Sequence, residues 1–196
     1  VTMDNEDTIH LSVQLLVREG RVAWIGSDTE QPPIEENEVV ERLDCGGRVV
    51  LPGFVDAHTH LVFGGDRADE FARRSGGESY ESIAASGGGI QSTVVATRAA
   101  SEEELVVAAL PRLDAMLAKG VTTVEIKSGY GLDWETEHKM LRVIRYLREH
   151  HPIHVCSTFL GAHTVPIEHR KNRDHYINTV CEEMIPRVAE EGLAEF

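Results

Sequence analysis

Two histidines separated by a single residue follow a short apolar stretch, and this spacing is typical of a metal-binding pair. Residues 54–60 read FVDAHTH. Because successive side chains of a strand alternate between its faces, Asp56, His58 and His60 are predicted to point the same way. Neutral imidazole is a favoured ligand of zinc and iron. The pair therefore predicts a site for one divalent metal ion, although polar residues that lead a strand into a loop would give the same pattern.

Three further polar side chains follow apolar stretches and are candidates to contact a substrate: Arg67, Tyr130 and His163. The formal net charge of the chain is −14, so an anionic substrate would need a fixed cation. A guanidinium group binds a carboxylate through two parallel hydrogen bonds, which favours Arg67. Each candidate has a structural alternative, namely a surface ion pair for Arg67, a turn-packing aromatic for Tyr130 and a loop histidine for His163.

The composition excludes several classes of partner. A strongly negative chain lacks the basic face that nucleic acid or an anionic membrane surface requires. No stretch approaches the ~20 apolar residues of a membrane span, and the acidic N-terminus does not resemble a signal peptide. Cys45, Cys156 and Cys181 are far apart and odd in number, which favours free thiols in a reducing compartment. We therefore expect a cytoplasmic protein that binds neither nucleic acid nor membrane.

The first part of the chain is predicted to be a small β unit. Alternating apolar residues between 9 and 27 surround a turn at 18–21, which favours a β-hairpin. Residues 39–44 are a second strand candidate. Because so few strands hold no core of their own, residues 1–51 are predicted to be part of a larger β domain.

From residue 52 onward, strands and helices alternate. Strands are predicted at 54–58, 121–126 and 153–160, and helices at 78–85, 92–100, 134–150 and 174–191. A further helix begins after a capping box of Ser101 and Glu104, carries an apolar stripe of Leu105, Ala109, Leu113 and Met116, and ends at Gly120 in the C′ position. Residues 61–77 are predicted to be a long loop.

This alternation predicts parallel strands joined by helices. The glycine pattern of a dinucleotide-binding fold is absent from the sequence, and the polar candidates follow the strand ends, where a (β/α)₈ barrel builds its site. A complete barrel takes ~250 residues. Residues 52–196 are therefore predicted to be the first three or so βα units of such a barrel, in an α/β fold.

Several segments resemble the amidohydrolase superfamily and, within it, the imidazolonepropionase family. The opening at 52–60 (PGFVDAHTH) is similar to the superfamily's metal-binding strand. The segments that are similar to the narrower family are 58–67 (HTHLVFGGDR), 87–90 (GGGI), 125–132 (EIKSGYGL) and 158–163 (TFLGAH). The resemblance implies a composite β-sandwich, of which 1–51 would be a part, beside a metal-bearing barrel.

The resemblance also implies an activity. The family hydrolyses the ring amide of 4-imidazolone-5-propanoate to N-formimidoyl-L-glutamate in histidine degradation, with one zinc or iron ion. By position, His58 and His60 would be metal ligands, while Arg67, Tyr130 and His163 would hold this small anionic substrate. Arg67 would face the propionate group.

The remaining functional groups of that family would lie beyond Phe196. They are a further histidine and an aspartate on the metal and the acid/base carboxylate, so residues 1–196 alone are expected to be inactive. Two alternatives stay open, another amidohydrolase such as a heterocycle deaminase, and a metal-free barrel fragment without catalytic function. The sequence does not decide between zinc and iron, nor the oligomeric state, where a homodimer is one option.

Overall fold

The computed structural model describes residues 2, 5–6, 8–34 and 41–196 of the chain. It divides into two compact units, Val1–Pro52 and Gly53–Phe196. The two units are described separately below.

The first unit contains the predicted hairpin. Strands β1 (Gln14–Arg18) and β2 (Arg21–Gly26) pair antiparallel, with Leu16 opposite Trp24. Both turn residues have left-handed backbone conformations, Glu19 at φ 51° and Gly20 at φ 72°. Such a two-residue turn matches the right-handed twist of the paired strands, so the prediction of a hairpin is confirmed.

The prediction of a strand at 39–44 is wrong for residues 41–44. Residues 39–40 lie outside the described residues, and 41–44 form no strand. The Asp44 carboxylate accepts a hydrogen bond from the Gly46 N–H at 2.7 Å, and the Arg48 N–H donates to the Cys45 carbonyl at 3.0 Å. These local bonds turn the backbone and use groups that a strand would pair with a neighbour.

The second unit is built on a parallel three-stranded sheet. Strands β3 (Phe54–Thr59), β4 (Val121–Lys127) and β5 (His154–Thr158) lie side by side in chain order. Both pairs are parallel, with Val55 opposite Thr123 and Thr123 opposite His154. The predicted mixed α/β arrangement with a parallel sheet is confirmed, while closure into a barrel stays a prediction.

Helices connect and follow these strands. Their bounds are α1 Ala68–Ser75, α2 Tyr80–Ala85, α3 Ile90–Ala99, α4 Glu102–Leu117, α5 Trp134–His150, α6 Arg173–Asn178 and α7 Ile185–Glu191, with a π-helical turn at Thr179–Met184 between the last two. Short 3₁₀ turns occupy Asp28–Glu30 and Ile167–His169. Among the described residues, no helix is both long and apolar enough to cross a membrane.

Helix α1 replaces part of the predicted loop. It has no buried residue, so it lacks the apolar periodicity by which a sequence predicts a helix. Side-chain bonds stabilise it instead, because the Asp66 carboxylate accepts from the Ala68 N–H at 2.9 Å and Arg73 pairs with Glu78 at 2.7 Å.

The core lies between the sheet and helices α4 and α5. The predicted stripe of α4 is confirmed, since Leu105, Ala109 and Leu113 are fully buried. They belong to one cluster with residues of α5, β4 and β5, among them Met140, Ile144, Leu147, Val124, Ile126 and Val155. Packing of this cluster fixes which face of β4 is apolar, and therefore which face is left for polar side chains.

The ends of α4 follow the sequence signals closely. The Ser101 hydroxyl accepts from the Glu104 N–H at 3.1 Å, and the Glu104 carboxylate accepts from the Ser101 N–H at 2.8 Å, so the capping box is confirmed. The C-cap is Ala118, and Gly120 follows two residues later with φ 89°. The C′ position is therefore Lys119, and the prediction that Gly120 occupies C′ is wrong by one residue.

The last helical segment, predicted at 174–191, also buries one apolar face. Tyr176, Val180, Met184 and Val188 are all buried. The first three pack in a second cluster with Val94 of α3 and Leu132 of the loop after β4. This cluster secures that loop, which carries one of the candidate site residues, against α3 and α6.

The core of α4 gives a stability prediction. Leu113→Ala is expected to lower the free energy of unfolding by about 2–5 kcal/mol, because it removes fully buried methyl groups and leaves a cavity. Val107→Ala on the same helix is the control, since Val107 is 69% exposed and its truncation is expected to change stability by no more than about 0.5 kcal/mol. Urea unfolding followed by circular dichroism measures both, and equal losses would contradict this account of the core.

Candidate active site

The carboxyl ends of the three parallel strands bring four aromatic side chains of the predicted site together. The His60 ring lies 4.5 Å from the His163 ring, 5.0 Å from the Tyr130 ring and 5.7 Å from the His58 ring, measured between centroids. Tyr130 and His163 are 5.5 Å apart. His58 ends β3 with Thr59 and His60 follows it, whereas Tyr130 follows β4 and His163 follows β5. The meeting of these three segments follows from strand order and not from proximity in sequence.

His60 is held in one tautomer by the neighbouring exit loop. Its Nδ1 lies 3.1 Å from the Ser128 carbonyl oxygen, and a hydrogen bond there requires the proton on Nδ1. Burial and the adjacent His163 lower the pKa of His60 to about 4, so the ring is neutral at pH 7. A neutral ring with its proton on Nδ1 leaves the Nε2 lone pair available to a metal ion.

His163 is oriented in the same manner. Its Nδ1 lies 3.0 Å from the Gly129 carbonyl oxygen, and a hydrogen bond there requires the proton on Nδ1. The ring stacks on His60 with an interplanar angle of 9°. Gly129 has φ 107°, and a Cβ there would lie 2.9 Å from the His163 Cβ. A glycine is therefore needed at 129 for both its backbone conformation and the close approach of His163.

Tyr130 borders the two histidines. Its ring also meets Phe63 edge-on at 6.4 Å. Burial raises the pKa of the Tyr130 phenol, while the charge of nearby Arg67 acts in the opposite direction. The net shift is upward, so the phenol is protonated at pH 7 and is a hydrogen-bond donor.

Arg67 forms an ion pair in this structure. Its Nε and Nη2 lie 2.7 and 2.6 Å from the same carboxylate oxygen of Glu70, in the first turn of α1. The other Glu70 oxygen accepts from the Gly89 N–H at 3.0 Å and from the Ser92 hydroxyl at 2.9 Å. Arg67 is thus fixed close enough to influence Tyr130, and its role toward a propionate group stays a prediction.

A polar cluster lies on the sheet near these rings, and of its members Glu125 and Thr158 were not predicted as site residues. Glu125 and Lys127 pair on one face of β4, opposite the buried Val124 and Ile126. The Thr158 hydroxyl donates to the same Glu125 oxygen at 2.5 Å. Burial acts to raise the pKa of Glu125, but the hydrogen bonds from Lys127 and Thr158 prevail and lower it. Alternation along the strand was the signal that would have placed both side chains on the site face.

Arg98 of α3 joins the exit loops of β4 and β5. Its Nε donates to the Gly131 carbonyl at 2.7 Å and also pairs with Asp133 at 2.8 Å. Its Nη2 pairs with Glu168 at 2.8 Å, beyond β5. Both loops that carry site residues are therefore attached to one helix.

The candidate metal-binding side chains supply only some of the ligands that a metal ion needs. His58 and His60 supply two imidazoles, a ligand type that zinc and iron accept. Within residues 2, 5–6, 8–34 and 41–196, no group of three or more His, Cys, Asp or Glu side chains is placed to hold a metal ion. Catalytic zinc sites commonly use three protein ligands and a water, so the two histidines fit as part of such a site.

Comparison with known proteins identifies relatives of this chain. No family model matches it. Curated relatives named imidazolonepropionase match most of it: the protein of Caulobacter sp. (strain K31) is 56% identical over 176 residues, which are 90% of this chain and 43% of the relative. The protein of Paraburkholderia phymatum is 55% identical over 92% of this chain and 44% of the relative, and that of Colwellia psychrerythraea is 51% identical over the same shares.

The chain thus spans somewhat less than half the length of the curated relatives that it matches. At 51–56% identity over about nine-tenths of the chain, the similarity leaves no doubt of common descent. The resemblance noted from residues 58–67, 125–132 and 158–163 is confirmed, and the chain is a homologue of the imidazolonepropionases, a group of hydrolases.

Proposed function

We propose that a protein with this segment, at the full length of its relatives, hydrolyses 4-imidazolone-5-propanoate to N-formimidoyl-L-glutamate in histidine degradation. One observation carries the proposal: His58, His60, Tyr130 and His163 meet at one edge of the sheet in a chain so similar to imidazolonepropionases. The reaction adds water to the ring amide carbon, breaks its C–N bond and leaves the proton on the departing nitrogen.

His58 and His60 are proposed to hold one zinc or iron ion together with ligands from outside residues 1–196. A divalent ion bound there supplies a water that is acidic enough to be deprotonated near neutral pH. The described residues prepare the site for it, because His60 is neutral and presents Nε2.

Tyr130 and His163 are proposed to orient the imidazolone ring. The Tyr130 phenol is protonated and donates to an acceptor on the substrate. With Nδ1 bonded to the Gly129 carbonyl, the neutral form of His163 has its lone pair on Nε2, which accepts from a ring N–H. A donor and an acceptor side by side match the alternating C=O and N–H groups of the ring. The Gly129 carbonyl orients His163, and Tyr130 packs against His60, His163 and Phe63.

Arg67 is proposed to bind the propionate carboxylate. Since Glu70 already contacts two nitrogens of Arg67, the substrate carboxylate either takes the place of Glu70 or binds the remaining edge of the guanidinium. In both cases the cation sits at a defined position before the substrate arrives, which lowers the entropic cost of binding.

The proposal includes the parts that residues 1–196 do not supply. A carboxylate that takes the water's proton and passes it to the leaving nitrogen would lie outside them, as would the remaining metal ligands. Residues 52–196 would be the first βα units of a (β/α)₈ barrel and residues 1–51 part of a β-sandwich domain. We further propose a cytoplasmic location.

The role of Arg67 can be tested by kinetics on the full-length protein. Arg67→Met is expected to raise KM by roughly 10- to 100-fold, because hydrogen bonds between charged groups contribute about 1.5–3 kcal/mol each. Arg74→Met is the control, since Arg74 is an exposed residue of the same helix, and it is expected to leave KM unchanged. An equal loss in both variants, or an unchanged KM for Arg67→Met, would contradict the assignment.

The metal assignment can be tested by elemental analysis of the full-length protein. His58→Ala and His60→Ala are each expected to lose most of the bound zinc or iron, because a metal site that loses one ligand binds far more weakly. His154→Ala is the matched control, since His154 is exposed at the opposite end of β5. Unchanged metal content in both site variants would favour the non-catalytic alternative.

The proposed active site combines residues of 1–196 with residues outside this range, and this gives a third expectation. The 196-residue polypeptide alone is expected to show no turnover of imidazolonepropanoate, while the full-length protein is active. An assay that follows both ring opening and ammonia release separates hydrolysis from deamination. Turnover by the isolated polypeptide would refute the proposed division, and preferential deamination by the full-length protein would replace the proposed reaction.

A further inference from the structure

A carboxylate is completely buried beneath the loop that carries Tyr130. Glu137 is 0% exposed and lies in the first turn of α5, in register with the core residues Met140 and Ile144. A buried carboxylate is costly unless hydrogen bonds compensate for the lost water. The described contacts of Glu137 supply that compensation, and all of them come from one loop.

The Glu137 carboxylate accepts hydrogen bonds along the whole of residues 128–132. The backbone N–H groups of Gly131 and Leu132 donate to Oε1 at 2.8 Å each, and the Gly129 N–H donates to Oε2 at 3.0 Å. The Ser128 hydroxyl also donates to it. The Ser128 N–H instead donates to the Thr158 carbonyl at 3.0 Å, and the Tyr130 N–H, midway along the loop, is not among the donors described for Glu137.

The loop has a conformation that needs such support. Gly129 has φ 107°, and Leu132 has φ 57° although it is not a glycine and is fully buried. A left-handed conformation at a branched residue costs free energy and persists only where surrounding bonds enforce it. Without the carboxylate, three backbone N–H groups would face the interior without an acceptor.

The other side of the same loop contacts the site rings. The Ser128 carbonyl accepts from His60 and the Gly129 carbonyl accepts from His163. Tyr130 projects between the two glycines whose N–H groups Glu137 binds. The Ser128 hydroxyl also accepts from the Leu160 N–H at 2.9 Å, which links Glu137 to the loop that carries His163.

We propose that Glu137 is a positioning residue for the substrate site, acting through residues 128–132 to set the places of Tyr130 and His163. It touches neither substrate nor metal ion. The part of this inference that concerns substrate rests on the proposed function, whereas the part that concerns the loop does not.

The isosteric variant Glu137→Gln tests the inference in the full-length protein. Its amide offers one acceptor oxygen and turns an NH₂ group toward backbone donors, so the loop is expected to relax. KM for imidazolonepropanoate is expected to rise at least ten-fold, with a smaller fall in kcat and unchanged metal content. In a Tyr130→Phe, His163→Ala background, the same change is expected to have little further effect on KM, because Glu137 acts through those side chains.

Hydrogen exchange supplies a measurement that does not depend on substrate. In Glu137→Gln, the amides of Gly129, Gly131 and Leu132 are expected to exchange at least ten-fold faster than in the unmodified protein. Ile144→Ala is the control, because it creates a cavity in the same helix without touching the loop. Ile144→Ala is expected to lower the melting temperature by an amount similar to that in Glu137→Gln. KM and the exchange rates of the three loop amides are expected to stay unchanged.

The outcomes separate the two proposals. If the unmodified protein does not turn over imidazolonepropanoate but exchange at the loop amides accelerates, the proposed function fails and the loop role stands. If KM and exchange are unchanged in Glu137→Gln, or if Ile144→Ala changes KM equally, the positioning role is refuted. If Glu137→Gln does not fold, Ser128→Ala is tested in its place. This variant is expected to show faster amide exchange at Leu160 and a raised KM. If neither the exchange nor KM changes, the inference is overturned.

Discussion

Parallel pairing of β3, β4 and β5 is the constraint on which the candidate site depends. Parallel strands end at the same edge of a sheet, so His60 and His163 meet although about a hundred residues separate them in the chain. Burial of Val124 and Ile126 against α4 and α5 fixes the register of the central strand. A shift of one residue would exchange the two faces of β4, and Glu125 and Lys127 would enter the apolar core.

Features with a local cause were predictable from the sequence. The bounds of α5, the capping box at Ser101 and the apolar stripe of α4 depend on residues within a few positions of one another. The meeting of the site rings was also predictable, although it is not local, because it follows from a general rule for parallel sheets. Predicting which rings meet there required the residue types after each strand as well as the strand order, and both indicated the same residues.

Features that depend on specific partners were not predictable. Helix α1 has no buried face, and its stability comes from side-chain bonds such as that of Arg73 with Glu78. An ion pair was the structural alternative for Arg67, but its partner Glu70 was not predictable, because Glu70 is placed by this helix. Glu137 was not singled out from the sequence, because nothing in the sequence showed that a loop would supply hydrogen-bond donors to a buried carboxylate.

Helix α3 connects the segment that carries Arg67 to the loop that carries Tyr130. At its start, Gly89 and Ser92 bind the carboxylate that holds Arg67, and near its end Arg98 binds the loop of Tyr130. Its ten residues span about 15 Å at the rise of an α-helix. The length of α3 therefore sets the distance between the anchor of the cation and the anchor of the phenol, and a single inserted residue would shift one by about 1.5 Å and turn it by roughly 100° relative to the other. If Arg67 and Tyr130 contact one molecule as proposed, the number of residues in α3 limits the size of that molecule.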